Sequence, residues 1–335
     1  MNEIYKKFAL NLQYFNNTNL TTSATEGNDL SVEMKTFYSD YLIDHAKPLL
    51  VHDQFAQKHP IPKNGGKIIE FRKYSPFAKA LNPITEGVTP DGNKLNVTKL
   101  TAEIAQYGDY VELSDVLLLT AIDNNLVEAT KLLGNQAGET LDTITREVIV
   151  GGTNVQYSGG KSDRSALTAS DKLTVDDCFK AARFLKTQKA KKIDGYYVAI
   201  IHPDVAYDLM RSEDWVNAAQ YAGSSQLFEG EIGRVAGIRF VETTEAKIFA
   251  KGLEGNNATK DVYATLVLGA DAYGVTEVEG GGLQHIVKQL GSSGTADPLN
   301  QRATVGWKAI KTAERLVEGY MVRIESCSTF DSGAN

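Results

Sequence analysis

Apolar residues recur three and four apart between residues 124 and 150. Leu126, Ala129, Leu133, Ala137, Leu141, Ile144 and Val148 fall on one stripe, the period of a helix with a buried face. At 1.5 Å per residue this helix would run about 40 Å, and Gly151-Gly152 provide its stop. Glu139 and Asp142 are expected on its solvated side. Gly134 and Gly138 interrupt it one turn apart. A mid-helix glycine costs about 1 kcal/mol relative to alanine, so the pair costs about 2 kcal/mol. Close backbone packing or a need to bend would each account for that.

Residues 195–244 carry a second pattern. The run from 196 to 201 is β-branched and aromatic, a short buried strand. Pro203 stops it because proline has no N–H for a ladder. Residues 204–210 read as a short helix with Val205, Leu209 and Met210 on its apolar side, and His202 is expected to end the strand and cap that helix. Turn glycines Gly230, Gly233 and Gly237 surround a second strand over 238–241.

Elsewhere the pattern is simpler. Residues 8–15 form a short amphipathic stretch, and the polar run 16–29 reads as an arm. Residues 32–50 predict a helix with Met34, Phe37, Tyr38, Tyr41 and Leu42 on one face. Residues 67–113 read as a long hairpin, outgoing over 67–74 and returning over 101–113. Pro83, Gly87, Pro90 and Gly92 punctuate the segment between, with Pro90-Asp91-Gly92-Asn93 a turn. Arms of about ten residues would carry the tip about 30 Å from the body. An isolated hairpin of that length is marginally stable in water. It is therefore expected to lie on something, and a neighbouring copy is the natural candidate.

Residues 151–170 read as a surface loop. Thr174 is the expected N-cap of a helix that buries Val175, Cys178, Ala182 and Leu185. Residues 261–278 begin as a buried strand, and 299–312 and 319–326 read as two closing strands.

Composition narrows the function. A chain of 335 residues, 42% hydrophobic and 23% charged, has room for two or three subdomains around a sizeable core. Lys+Arg 35 against Asp+Glu 42 gives a net charge of −7. That balance argues against a protein whose main task is gripping nucleic acid, and permits one that encloses DNA without holding it tightly. No apolar run approaches the ~18 residues of a membrane span. The N-terminal region lacks the uninterrupted apolar stretch of a secretion signal. Cys178 and Cys327 show no metal or redox spacing and read as reduced thiols.

Candidate chemistry does not survive inspection. His45, His52 and His59 recur every seven residues, but positions seven apart on a helix lie about 10.5 Å apart along the axis, too far to share one ion. The glycines of 230–237 lead into a strand rather than a helix, so they do not form a phosphate loop. Lys186, Lys189, Lys191 and Lys192 oppose the negative end of the preceding helix dipole. No triad or zinc signature occurs, so neither catalysis nor a cofactor is expected.

Three stretches carry a family resemblance. V-A-I-I-H-P-D at 198–204, G-E-I-G-R-V-A-G-I-R-F-V-E-T at 230–243 and N-Q-R-x-x-V-G-W-K-A at 300–309 resemble tailed-phage major capsid proteins of the Hong Kong 97-type fold. The L-N-L-Q opening at 10–13 is similar to openings common there. The resemblance implies an α+β fold. Its parts would be an N-terminal arm (1–31), a helical region of the peripheral domain (32–66) and an extended loop (67–113). A spine helix with peripheral domain (114–194), an axial domain (195–285) and C-terminal peripheral strands (286–335) would follow. It implies a non-enzymatic virion protein that assembles with itself into pentamers and hexamers of an icosahedral shell. That shell would enclose double-stranded DNA without sequence-specific binding, beside portal and scaffolding or decoration proteins, after synthesis in the bacterial cytoplasm. No membrane partner is implied. Pro83, Glu86, Gly87, Pro90, Asp91 and Gly92 would touch the adjacent subunit. Relatives bend the spine helix before the shell expands, so flexibility is the expected role of Gly134 and Gly138. An encapsulin-like nanocompartment shell, or a soluble α/β enzyme, are the alternatives.

Overall fold

The computed structural model describes residues 50–61, 66–74, 77–81, 83, 86–87, 89, 92–120, 125–216, 233–251, 260–278, 282–292 and 297–333, with 42 and 46. The expected arm and nearly all of the helix expected over 32–50 lie outside these residues. The strands are β1 (Gln57–Ile61), β2 (Ile68–Tyr74), β3 (Val97–Glu103), β4 (Ala105–Ser114), β5 (Val155–Tyr157), β6 (Tyr197–Ile201) and β7 (Arg234–Val235). They continue with β8 (Ile238–Glu242), β9 (Ile248–Phe249), β10 (Val262–Leu268), β11 (Tyr273–Val278), β12 (Gln284–Lys288), β13 (Arg302–Arg315) and β14 (Met321–Ser326). The helices are α1 (Asp115–Thr120), α2 (Asn125–Val150), α3 (Val175–Thr187) and α4 (Pro203–Met210).

Two sheets share one long helix. The first is five-stranded and built on β13, whose fourteen residues pair with β4 along one edge and with β11 and then β12 along the other. β1 runs parallel to β11 at its margin. The second is seven-stranded, in the order β5-β14-β10-β6-β8-β7, with β9 also on β10. Its middle strands are buried along their whole length because both faces are covered. Tyr197, Ala199 and Ile201 of β6 and Tyr263 and Val267 of β10 pack with α3 and α4. Ile200, Leu266 and Leu268 point the other way, onto Ile149 and Val150 at the end of α2. The earlier half of α2 lies on the first sheet, Leu133, Ala137 and Leu141 against Val305, Trp307 and Ala309.

Local signals were good guides to the short elements. Thr174 caps α3 in a capping box with Asp177. His202 ends β6, and its ring accepts the Asp204 N–H at 3.2 Å, capping α4. α2 forms over Asn125–Val150, uninterrupted at Gly134 and Gly138.

Sheet membership departs from the expected boundaries. The return strand foreseen over 101–113 divides: β3 pairs with β2, but β4 leaves the hairpin and joins β13 over its full length. The strand foreseen over 261–278 divides at a turn containing Asp271, whose φ is 60°. β10 enters the second sheet and β11 the first. The closing strands separate in the same way, β13 to the first sheet and β14 to the second between β5 and β10. Residue 285 lies within β12 of the first sheet, and β14 pairs within the second. Pairing partners are distant in sequence, and periodicity along one strand cannot name them.

Candidate assembly surfaces

The hairpin comes first. β2 and β3 pair from Ile68↔Glu103 to Tyr74↔Val97, so each arm spans about 23 Å at 3.3 Å per residue. They form a two-stranded sheet with no third strand among the described residues. The root is fixed: Ile104 N–H donates to the Lys67 carbonyl at 3.0 Å, and Phe71 is buried with its ring edge-on to His59, centroids 5.2 Å apart. Apolar side chains meet solvent along the hairpin: Ile68 beside the root, and Phe77 and Leu95 towards the tip, are more than half exposed, and Leu81 is 80% exposed. Pro83, Glu86, Gly87 and Gly92 all lie exposed on this loop, and Gly87 has φ +81°, which glycine tolerates without strain. Pro90 and Asp91 lie outside the described residues. Covering one large apolar side chain is worth about 1.5–3 kcal/mol, so the row is costly to leave in water.

A second apolar surface surrounds α1. Val116, Leu117 and Leu119 are exposed there. The Asp115 N–H donates to the Gln301 carbonyl at 3.0 Å, which brings α1 beside the exposed Leu299.

Gly134 and Gly138 are buried, on the same face of α2 as Leu133, Ala137 and Leu141. Leu42 belongs to that cluster. Asp142 is buried too, and this corrects the expectation of a solvated carboxylate. It accepts the His52 backbone N–H at 2.8 Å and meets the His52 ring Nδ1 at 2.6 Å, both side chains 0% exposed. One turn on, Thr145 donates to Asp53 at 2.6 Å. Lys311 of β13 bonds the second Asp53 oxygen and the Leu141 carbonyl. The Tyr273 hydroxyl donates to the His52 carbonyl, and burial beside the Asp53 and Asp142 charges pushes its pKa well up. A polar joint thus fixes the 50–53 segment to α2 and the first sheet. Glu139, by contrast, is exposed.

The C-terminal end of α2 is held by arginines. Arg315 donates to the Val148 carbonyl at 2.8 Å, and Arg323 donates to those of Val150 and Gly152. The Val148 and Val150 carbonyls are ones the helix leaves unpaired, and cations oppose the dipole there. Arg323 also reaches Glu325 at 2.8 Å, and Arg164 grips the same carboxylate at 2.6 and 2.7 Å. Glu325 is fully buried. This bond raises the Arg164 pKa, although partial burial works against it.

His52 and His202 are occupied structurally. Burial pushes the Cys178 thiol up to about 12 and the Cys327 thiol up to about 11, and both cysteines are free. No three metal-ligating side chains converge among the described residues, and no helix there is long and apolar enough to cross a membrane. What the molecule offers is surface: an unaccompanied hairpin and exposed apolar patches on a tightly cross-braced body. That is the description of a subunit built to be completed by other subunits.

The comparisons name the class. Residues 119–291 match the family described as "Phage capsid protein", and the chain belongs to it. The fold is similar to the capsid of cyanophage P-SCSP1u, at 16% identity and a TM-score of 0.63 over 84% of this chain and 89% of that one. It is similar to the capsid of Ralstonia phage GP4, at 15% identity and a TM-score of 0.64 over 85% and 90%. It also resembles the acid-stable capsid of Helicobacter pylori bacteriophage KHP30, at 11% and 0.59 over 82% and 88%. No curated protein matches the chain in sequence. The protein is a major capsid protein: a structural, self-assembling shell component of a phage virion, in a family that is not one of enzymes.

Proposed function

We propose that the shell is an icosahedral head of pentamers and hexamers enclosing double-stranded DNA, in which the β2–β3 hairpin lies across the adjacent copy. The hairpin carries this reading, because its exposed apolar row has no covering element among the described residues. Pro83, Glu86, Gly87, Pro90, Asp91 and Gly92 are assigned to that contact. α2 serves as the spine, the five-stranded sheet as the peripheral domain, and the seven-stranded sheet with α3 and α4 as the axial domain around the symmetry axes. The net charge of −7 suits a wall that encloses DNA without sequence-specific binding. Portal and scaffolding or decoration proteins complete the particle, and synthesis takes place in the bacterial cytoplasm. Gly134 and Gly138 let α2 bend during maturation. The test is electron microscopy with sedimentation of the purified chain. Closed particles hundreds of ångströms across, or pentamers and hexamers able to form them, are expected. A monomer that persists across salt and crowding conditions with scaffolding protein present would refute the reading.

A further inference from the structure

β7 and β8 form a hairpin closed by Ala236 and Gly237, both in the left-handed region at φ 59° and 78°. Two such residues make the turn whose twist matches paired strands, so the register is tight. Arg234 and Arg239 stand directly opposite each other on this pair, and both are exposed. Side chains opposite each other on antiparallel strands share a face, with Cβ atoms about 5 Å apart. Like charges in that position repel and cost stability. Among the described residues neither guanidinium forms an ion pair.

Arg234 is nevertheless held in place. Its guanidinium stacks on the Tyr196 ring at 4.5 Å and donates to the Tyr196 hydroxyl at 3.1 Å. Tyr196 is fixed in turn by mutual backbone bonds with Ile193 at 2.8 and 3.0 Å. The Lys192 ammonium brings a third cation to the hairpin turn, 3.9 Å from where a side chain on Gly237 would begin. Lys189 and Lys191 are also exposed, and residues 188–196 hold a single carboxylate, Asp194. Positive charge is thus gathered at one corner of a chain whose net charge is −7. Stacking occupies one face of the Arg234 fork and leaves its edge for anion oxygens. One guanidinium satisfies a carboxylate, so two side by side call for a group with more oxygens. We infer that the β7–β8 hairpin is a phosphate-binding site, in which Arg234 and Arg239 clamp one phosphate group and Lys192 adds charge beside it. A nucleic-acid backbone and free phosphate both carry that group. The inference needs only a folded subunit and does not rest on the shell reading.

The test begins with thermal melting of unassembled full-length subunits in sodium phosphate, acetate and chloride of equal ionic strength. Phosphate also strengthens apolar burial in general, so the readout is the difference between the parent and an Arg234→Gln/Arg239→Gln chain. With phosphate at about fifty times a millimolar Kd, the parent's midpoint should rise by about 3 °C more than the variant's. An equal rise in both chains, or an equal response to acetate, would overturn the proposal. In chloride alone, Arg239→Gln should raise the midpoint by relieving repulsion. A fall reproduced by Glu229→Gln or Glu231→Gln would show that a carboxylate of the chain already fills the clamp, and would also overturn it. Line broadening of the phosphorus resonance of inorganic phosphate gives a direct second readout, expected with the parent and absent with the double variant. A fluorescent DNA duplex, followed by anisotropy, separates the sources. Binding weakened at least about tenfold in the double variant assigns the site to a nucleic-acid backbone; a phosphate response without duplex binding assigns it to the free ion. Response to neither sinks the proposal and leaves the shell reading standing.

Discussion

Replacing Asp142 by alanine should cost the subunit about 3 kcal/mol. On an exposed helix face the same change would be neutral or favourable, because alanine has the higher helix propensity by about 0.6 kcal/mol. In the structure the carboxylate accepts the His52 amide at 2.8 Å and binds the ring at 2.6 Å, all within fully buried surroundings. Alanine leaves a buried backbone donor and a buried imidazole without their partner, and each orphaned group costs about 1–3 kcal/mol. Subtracting the propensity gain from two such groups gives the estimate. Urea unfolding of unassembled subunits, followed by fluorescence, measures it. With a slope of about 3 kcal/mol per molar, the first transition should move down by about 1 M. Glu139→Ala, one turn away and exposed, should stay within about 0.5 kcal/mol of the parent. The His52 amide should also lose its exchange protection in the Asp142 variant alone. Equal midpoints for the two variants would refute the buried joint.

Other expectations follow from the same geometry. Replacing residues 75–95 by a short turn should leave the subunit's melting temperature nearly unchanged and abolish shells, checked by calorimetry beside micrographs; normal shells would remove the hairpin from subunit joining. The Gly134→Ala/Gly138→Ala pair should stabilise the subunit by up to about 2 kcal/mol and slow the precursor-to-expanded transition seen by sedimentation. A destabilised subunit would instead show that the buried glycines serve close packing. Burial depresses the His202 pKa below its ordinary value, outweighing the nearby Asp204 and Glu245 charges. The unfolded chain therefore binds more protons there, and stability is lost as pH falls below about 6.5 towards the folded value. His202→Asn keeps a good N-cap and should flatten that part of the pH–stability curve, measured by urea midpoints from pH 7 to 5. Lys189, at φ 57° with the Ala190 N–H on the Leu185 carbonyl, occupies the left-handed position after α3 that glycine prefers. Lys189→Gly should raise stability by about 1 kcal/mol, read by thermal melting.

What the sequence disclosed depended on whether a signal was local. The α2 stripe, the Thr174 cap and the strand–Pro203–helix turn are written within a few residues of themselves, and the structure reproduces each. The apolar stripe alone does not mark Asp142 as buried. The buried face also carries Asp142, Thr145 and Arg146, whose partners His52, Asp53 and Glu245 are distant in sequence. Only a satisfied network makes such burial tolerable. β4 follows the loop without a break and alternates like a strand, so in the sequence it reads as part of the hairpin. Its loyalty to β13 is a matter of pairing across the chain, which composition does not encode. The exposed loop residues were legible as loop through their prolines and glycines. Which surface covers them is not a property of one chain.

The arginine brace at the end of α2 has a mechanical consequence. Arg315 sits on the last residue of β13 and Arg323 on β14, and both bind the carbonyl end of the same helix. The two sheets and the helix are thus pinned at one hub. If the shell holds packed DNA, as proposed, outward pressure on the wall would pass through a panel braced this way with little distortion of the panel itself. Compliance would then fall to the contacts between panels, so the wall would stretch at its seams before its plates deform.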